Sequence, residues 1–184
     1  MNDEIMAVDP RFVKIVLDQY PLSKGGIHGV FHWARVMENG MRLAPECGAR
    51  LDVIEYFALL HDSRRLDDGL DEYHGPRAVQ FAGVLRNPWI DLDEAGFVLL
   101  EQAMSRHTGG TCDEDVTVQV CLDADRLDLE RVGIQPDPRW LCTPHARDPE
   151  TIAWASARAR NGYVAIEILE RWGIDWKQIQ STYG

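Results

Sequence analysis

The sequence predicts an all-α fold. Three observations carry that prediction: apolar residues recur at helical spacing along most of the 184 residues, the segment Leu51 to Leu60 is apolar almost all round, and no pair of alternating strands stands out. Taken in order, a first helix is expected from about Pro10 to Tyr20. The turn Pro21-Leu22-Ser23-Lys24-Gly25-Gly26 leads into a second, from about His28 to Leu43, where Val30, Trp33, Ala34, Met37 and Met41 form a buried stripe. Leu51 to Leu60 reads as the central helix, because a helix that is apolar on every side must be surrounded by others.

Ser63 to Tyr73 is charged and contains Asp67-Asp68-Gly69, so it reads as a loop. Pro76 suits the first turn of the next helix and places His74 at its mouth. A helix from about Asp93 to His107 aligns Phe97, Leu100, Met104 and His107, and Thr108-Gly109-Gly110 stops it. Asp113 to Leu129 reads two ways. Val116, Val118 and Val120 alternate as in a strand, whereas Val118, Cys121, Leu122, Asp125 and Leu129 share one helical face; the lack of a partner strand favours the helix. The proline-rich stretch Gln135 to Pro149 is expected to be a long loop. A last helix then runs from about Glu150 to Trp172 with Ile152, Ala155, Ala159, Tyr163 and Ile166 inward.

With 45% of residues apolar, the chain is long enough for one well-packed core, and a single domain spanning 1–184 is expected. The net charge of -11 argues against a surface that grips a nucleic-acid backbone, while one positive pocket can still admit a small anion. No apolar run approaches the roughly 18 residues that span a bilayer. The start Met1-Asn2-Asp3-Glu4 lacks the basic flank of a signal peptide, so a cytoplasmic location and no membrane partner are expected. Cys47, Cys112, Cys121 and Cys142 are dispersed without a C-x-x-C pair and read as small buried residues, which leaves His, Asp and Glu as metal ligands.

The chemistry centres on His61-Asp62, at the end of the most apolar helix, where an imidazole and a carboxylate are costly to bury uncompensated. A divalent metal compensates both; an Asp that merely orients a core His is the alternative. On a helix Asp125 shares the buried face of Val118, Leu122 and Leu129, whereas Asp123 points about 200° away, so Asp125 is the better ligand. Asp123 and Asp128 are expected to cap, to pair with Arg126 or Arg131, or to touch solvent. His28, His32, Arg35 and Asn39 form a polar stripe beside the apolar one; it reads either as a solvated face or as an approach to metal or phosphate, with His32 the stronger ligand and His28 a weaker one or a substrate contact. Singly, His74 reads as a residue at a helix start and His107 as a hydrogen-bonded residue at a helix end. Together they complete four histidines and two aspartates, enough for two ions. His145 is left at the surface.

In chain order, His32, then His61-Asp62, then Asp125 within Asp123-Ala124-Asp125-Arg126-Leu127-Asp128 resembles the HD-domain superfamily of metal-dependent phosphohydrolases, over about Gly26 to Gly133. His28-Gly29-Val30-Phe31-His32-Trp33-Ala34-Arg35-Val36 looks like that family's first histidine helix, and Phe57-Ala58-Leu59-Leu60-His61-Asp62 like its second. The resemblance implies a helical bundle of about five core helices with flanking helices. It implies His32, His61, Asp62 and Asp125 as metal ligands, with His74 and His107 as the extra histidines of two-metal subfamilies, and it looks like a small stand-alone HD protein. Departures narrow it: Ser63-Arg64-Arg65 replaces the frequent Gly after the His-Asp pair, the acidic pair of alarmone hydrolases is missing, and so is the Gly-Tyr-Pro signature of cyclic-dinucleotide phosphodiesterases.

The expected activity is hydrolysis of a phosphate ester, in a nucleotide or another small phosphorylated metabolite. One or two divalent ions (Mn, Fe, Mg, Co or Zn) lower the pKa of a bound water, positioned by Asp62, towards about 7. Arg35, Arg64 and Arg65 are candidate phosphate clamps, Arg77 and Lys24 weaker ones, and surface pairing with Asp67, Asp68 or Asp71 is their alternative role. Two other functions fit the same ligands: a di-iron oxygenase cleaving a carbon bond, and a non-catalytic metal-binding sensor. Trp172, Trp176 and Tyr183 either close the core or form a homodimer contact.

Overall fold

The computed structural model describes residues 8–109 and 111–183, the side chain of Tyr183 excepted. The Met1–Glu4 reading and the Gly110 end of the helix stop lie outside the described residues. Among the described residues the fold is all-α and contains no strand. Helix α1 (Pro10–Asp18) starts on an Asp9 cap that accepts from Arg11 N, with Pro10 at its first position, and buries Phe12, Val13 and Val16. Helix α2 (Val30–Cys47) runs a turn further than expected and ends on Gly48, whose φ of 73° suits a left-handed cap. Besides its apolar stripe it buries His32, Arg35 and Asn39, so the polar stripe is not a solvated face.

Helix α3 (Leu51–Leu60) keeps the expected limits, and every residue from Val53 to Leu60 is buried. It packs against α1, α2, α5 (Glu94–Arg106) and α6 (Val116–Arg126), which makes it the centre of the molecule. The α2–α3 contact is close at Gly40, where a Cβ would stand 2.4 Å from Ile54 Cγ2. Helix α4 (His74–Trp89) carries Pro76 in its first turn and packs on α5, which is capped by Asp93. The ambiguous Asp113–Leu129 segment forms helix α6, capped by Asp115 and packed on α2, α3 and α5. A helix buries this stretch without leaving ladder hydrogen bonds open, as a lone strand would.

The C-terminal part corrects three expectations. The proline-rich stretch is not featureless: it holds a 3-10 turn at Pro138–Trp140 and the short helix α7 (Pro144–Arg147). The expected helix from Glu150 to Trp172 is two, α8 (Pro149–Arg160) and α9 (Ile166–Arg171), broken at Asn161-Gly162, where Gly162 takes a φ of 62°. After that break Ile152, Ala155 and Ala159 stay inward while Tyr163 and Ile166 turn out. A further helix, α10 (Trp176–Tyr183), was not foreseen. Trp172 closes the core, donating from Nε1 to Glu55 Oε1 at 3.1 Å.

The cysteines also differ from the expectation. Cys112 and Cys142 form a disulfide; of the four cysteines Cys121 is buried, Cys47 and Cys142 are partly so and Cys112 is exposed. Among the described residues no helix is long and apolar enough to cross a membrane.

Candidate metal centre

Six side chains from five chain segments meet at one end of the bundle. His32 comes from the first turn of α2, His61 and Asp62 from the end of α3, His74 from the start of α4, His107 from the end of α5 and Asp125 from α6. Helix ends place all six there, because an end lets the chain turn a side chain inward without interrupting the helical ladder. Gly75 permits a close approach: a Cβ there would lie 2.4 Å from Met104 O and 3.4 Å from His107 Cε1, so α4 can rest its start directly on the end of α5.

The hydrogen bonds fix the tautomers of the four imidazoles. His61 Nδ1 lies 3.0 Å from Phe57 O, His107 Nδ1 lies 2.7 Å from Met104 O, and His74 Nδ1 faces Asp71 O. A carbonyl only accepts, so each Nδ1 must carry the hydrogen. His32 Nδ1 likewise donates to Asp128 Oδ2 at 2.7 Å. In the neutral rings all four Nε2 atoms therefore present lone pairs, and these converge: His32 Nε2 to His61 Nε2 is 3.1 Å, and His74 Nε2 to His107 Nε2 is 2.6 Å. Lone pairs facing each other at such distances repel unless a cation lies between them.

Asp62 joins the two pairs. Its Oδ2 is 3.6 Å from His32 Nε2 and 3.7 Å from His61 Nε2, while its Oδ1 is 3.1 Å from His74 Nε2 and 3.6 Å from His107 Nε2. Asp125 Oδ1 closes the first pair at 3.4 Å from His32 and 3.8 Å from His61. Two donors about 2.1 Å from one ion sit roughly 3.0–3.4 Å apart at octahedral to tetrahedral angles, and the first cluster is close to that spacing. The donor set thus fits one ion at His32, His61 and Asp62, beside which Asp125 lies, and a second at Asp62, His74 and His107.

A search of protein-family models found no match, and no curated protein matched either. Among solved structures, the chain is similar to the crystal structure of a predicted HD superfamily hydrolase from an uncultured Thermotogales bacterium. The TM-score is 0.65 at 23% sequence identity, over 96% of this chain and 99% of the other. The chain has the HD fold. The bundle implied by the sequence motifs is therefore the one observed, and the residues quoted for that resemblance are those gathered at the cluster.

The electrostatics of this HD fold suit cation binding. Burial drives the His61 pKa down to about 3, keeping the ring neutral and its lone pair available. Burial alone would raise the Asp62 pKa, but the ring of His61 and the contacts with His107, His28 and His74 hold the carboxyl well below the usual range. Asp125 is also held down against its burial, chiefly by His32 and His61. Both carboxylates stay ionised in a buried site, which demands a compensating charge.

The structure separates the remaining candidates. His28 and Arg65 join the cluster: His28 Nδ1 is 2.9 Å from Asp62 Oδ2, and Arg65 Nη1 is 3.4 Å from Asp62 Oδ1. Both line a cavity of about 720 Å³ that opens over Asp62, His74, His107 and Asp125. Four other candidates do not line it. Arg35 is held in a two-point ion pair with Asp128, Arg64 donates to Gln19 O over the Phe81 ring, and Arg77 pairs with Asp71. Lys24 lines a separate cavity between α1 and α10. The expectation that these four clamp phosphate is corrected: each is nearer to another partner or another face.

Three residues were missed or misplaced. Asp128 is buried against His32 and Arg35, and helical phase was the available signal, since it lies three residues from Asp125. Arg131 lines the cavity with Nη2 3.4 Å from His28 Nδ1. Trp140 stands on the cavity rim, in a stretch read only as loop. Asp123 points away as expected and caps the 142–143 backbone, accepting from Cys142 N at 2.6 Å and Thr143 N at 2.7 Å.

Proposed function

We propose that this chain is a metal-dependent phosphohydrolase of the HD type, acting on a nucleotide or another small phosphate ester. The observation that carries the reading is the convergence of four imidazole lone pairs and two ionised carboxylates beneath an open cavity, whose floor Asp62, His74, His107 and Asp125 line. Divalent ions held there supply positive charge that acidifies water and neutralises phosphate oxygens. In the hydrolysis water oxygen bonds to phosphorus, the bond from phosphorus to the leaving oxygen breaks, and that oxygen takes up a proton.

The chain's own residues position and balance charge. Asp62 reaches both histidine pairs with one carboxylate and holds them in register. Arg65 and Arg131 line the same cavity and draw an anion toward the floor of a protein whose net charge is -11. That cationic lining favours hydrolysis of an anionic ester over oxygen chemistry on the same ligands. His28, at 2.9 Å from Asp62 Oδ2 and exposed to the cavity, stands where a ring proton can pass to a leaving oxygen.

The test is elemental analysis of protein purified without chelator, followed by phosphate release from a panel of esters without oxygen and with manganese, magnesium or cobalt. Two equivalents of metal per chain and phosphate release are expected. Iron with oxygen-dependent turnover and no phosphate release would replace the reading with the oxygenase. Metal without either activity would leave a binding module.

A further inference from the structure

The cavity has two unlike ends. Its floor holds Asp62, Asp125, His74 and His107, with Arg65 and Arg131 beside them, while the segment after α6 forms a mainly apolar wall that also carries Gln135 and Asp137. On that wall Val132, Ile134 and Trp140 leave 38%, 54% and 59% of their surface open, and all three face the cavity. Large apolar groups left in water at the mouth of a charged site mark a surface that a ligand covers.

The wall is held in place. Arg126, largely buried, donates from Nη1 to Trp140 O at 2.7 Å and from Nη2 to Thr111 O at 3.3 Å. Trp140 N donates to Asp137 O at 2.9 Å. Two residues on, Cys142 is bonded to Cys112 and gives its N–H to Asp123. The indole is therefore presented from a fixed backbone, at small ordering cost on binding.

We propose that Trp140, with Val132 and Ile134, forms the subsite for the organic part of the substrate, and that this part carries a flat aromatic face, as a nucleobase does. The inference rests on the phosphohydrolase reading and deepens it. An ester whose phosphate sits over the floor extends its other end along this wall. A sugar phosphate has no flat apolar face to cover Val132, Ile134 and Trp140, whereas an aromatic ring stacks on the indole and covers the aliphatic groups.

The experiment compares adenosine monophosphate with ribose phosphate on the metal-loaded protein, in wild type, Trp140→Ala and Trp140→Phe. The ratio of kcat/KM for the nucleotide over the sugar phosphate should exceed one. It should fall about tenfold in Trp140→Ala, mostly through KM, and recover in Trp140→Phe. Binding is read separately as quenching of tryptophan fluorescence by adenosine, which carries no phosphate; the part due to Trp140 should vanish in Trp140→Ala. Turnover with an unchanged ratio and unchanged quenching would overturn the subsite while leaving the hydrolase reading intact. Trp140-dependent quenching without turnover of any ester would overturn the hydrolase and keep the aromatic subsite. Absence of both signals would overturn both.

Discussion

Asp128 Oδ2 lies 2.7 Å from His32 Nδ1, and the same carboxylate binds Arg35 through Nε at 2.7 Å and Nη2 at 3.0 Å. A carboxylate that accepts the Nδ1 proton of a ligating histidine fixes its tautomer and aims Nε2 at the cluster. Asp128 is therefore a positioning residue one step behind the proposed ligands. Although burial opposes it, His32 and Arg35 hold its carboxyl ionised.

Asp128→Asn keeps the shape but replaces the charge shared by His32 and Arg35. Metal affinity should fall roughly 10- to 100-fold. Titration calorimetry with manganese measures this, and the unfolding midpoint of the metal-free variant reports the separate cost of leaving Arg35 without its anion. A variant that binds metal as tightly as wild type would remove Asp128 from the site.

Asp123 and Asp125 should part cleanly. Asp125→Ala removes a donor of the first cluster and should lose metal, as should His61→Ala and Asp62→Ala. Asp123→Ala should keep the metal but destabilise the fold by about 1–3 kcal/mol, because it strips acceptors from buried donors. Those donors are Cys142 N, Thr143 N and Thr143 Oγ1. Urea denaturation beside metal analysis separates the two outcomes, and equal metal loss in both variants would contradict the helical-face assignment.

Gly75→Ala tests the second cluster without touching a ligand. The added methyl would meet the Met104 carbonyl at 2.4 Å, so the start of α4 must withdraw from α5 and carry His74 away from His107. Metal content should drop from two equivalents toward one, with a stability loss of about 1–3 kcal/mol from overpacking. Retention of two ions would show that His74 and His107 do not depend on this contact.

The metal-free protein should be most stable near the ordinary histidine pKa. Burial depresses His61 from 6.5 to about 3, so between those values the unfolded chain binds the extra proton and stability rises with pH. His107 has the opposite sign. Burial would lower it, but its hydrogen bond to Asp62 and the charges of Asp125 and Asp62 raise it above 6.5, so its contribution is complete below that pH and is lost as pH rises through the folded value. Urea midpoints of chelator-treated protein, taken from about pH 5 to about pH 8, should pass through a maximum. In His107→Gln the fall on the alkaline side should shrink; a midpoint climbing steadily to pH 8 would contradict the assignment.

Much of this was legible in the residues. Periodicity located the central helix at Leu51–Leu60 to the residue, and helical phase separated Asp125 from Asp123. The cost of burying charge picked out the His61-Asp62 pair, and chain order added His32. The arginines were not legible in the same way. Arg35, Arg64 and Arg65 look alike in a sequence, yet one is locked to Asp128, one donates to Gln19 O and one faces the cavity. A guanidinium on a long flexible stem takes its partner from whatever the fold brings within reach, so local spacing does not specify it.

By itself the sequence determined the helices from α1 to α6, their buried faces and the residue types able to hold a cation, because helical period and the cost of burying charge act within a few residues of chain. Only the tertiary structure decided how the four Nε2 atoms pair, that Asp62 gives one oxygen to each pair, and that Trp140 stands over the same cavity. Those relations join residues as far as 96 positions apart, as His32 and Asp128 are, and arise from how helix ends pack against one another. No local pattern encodes that packing; Gly75, small enough to let α4 rest on α5, is where it is set.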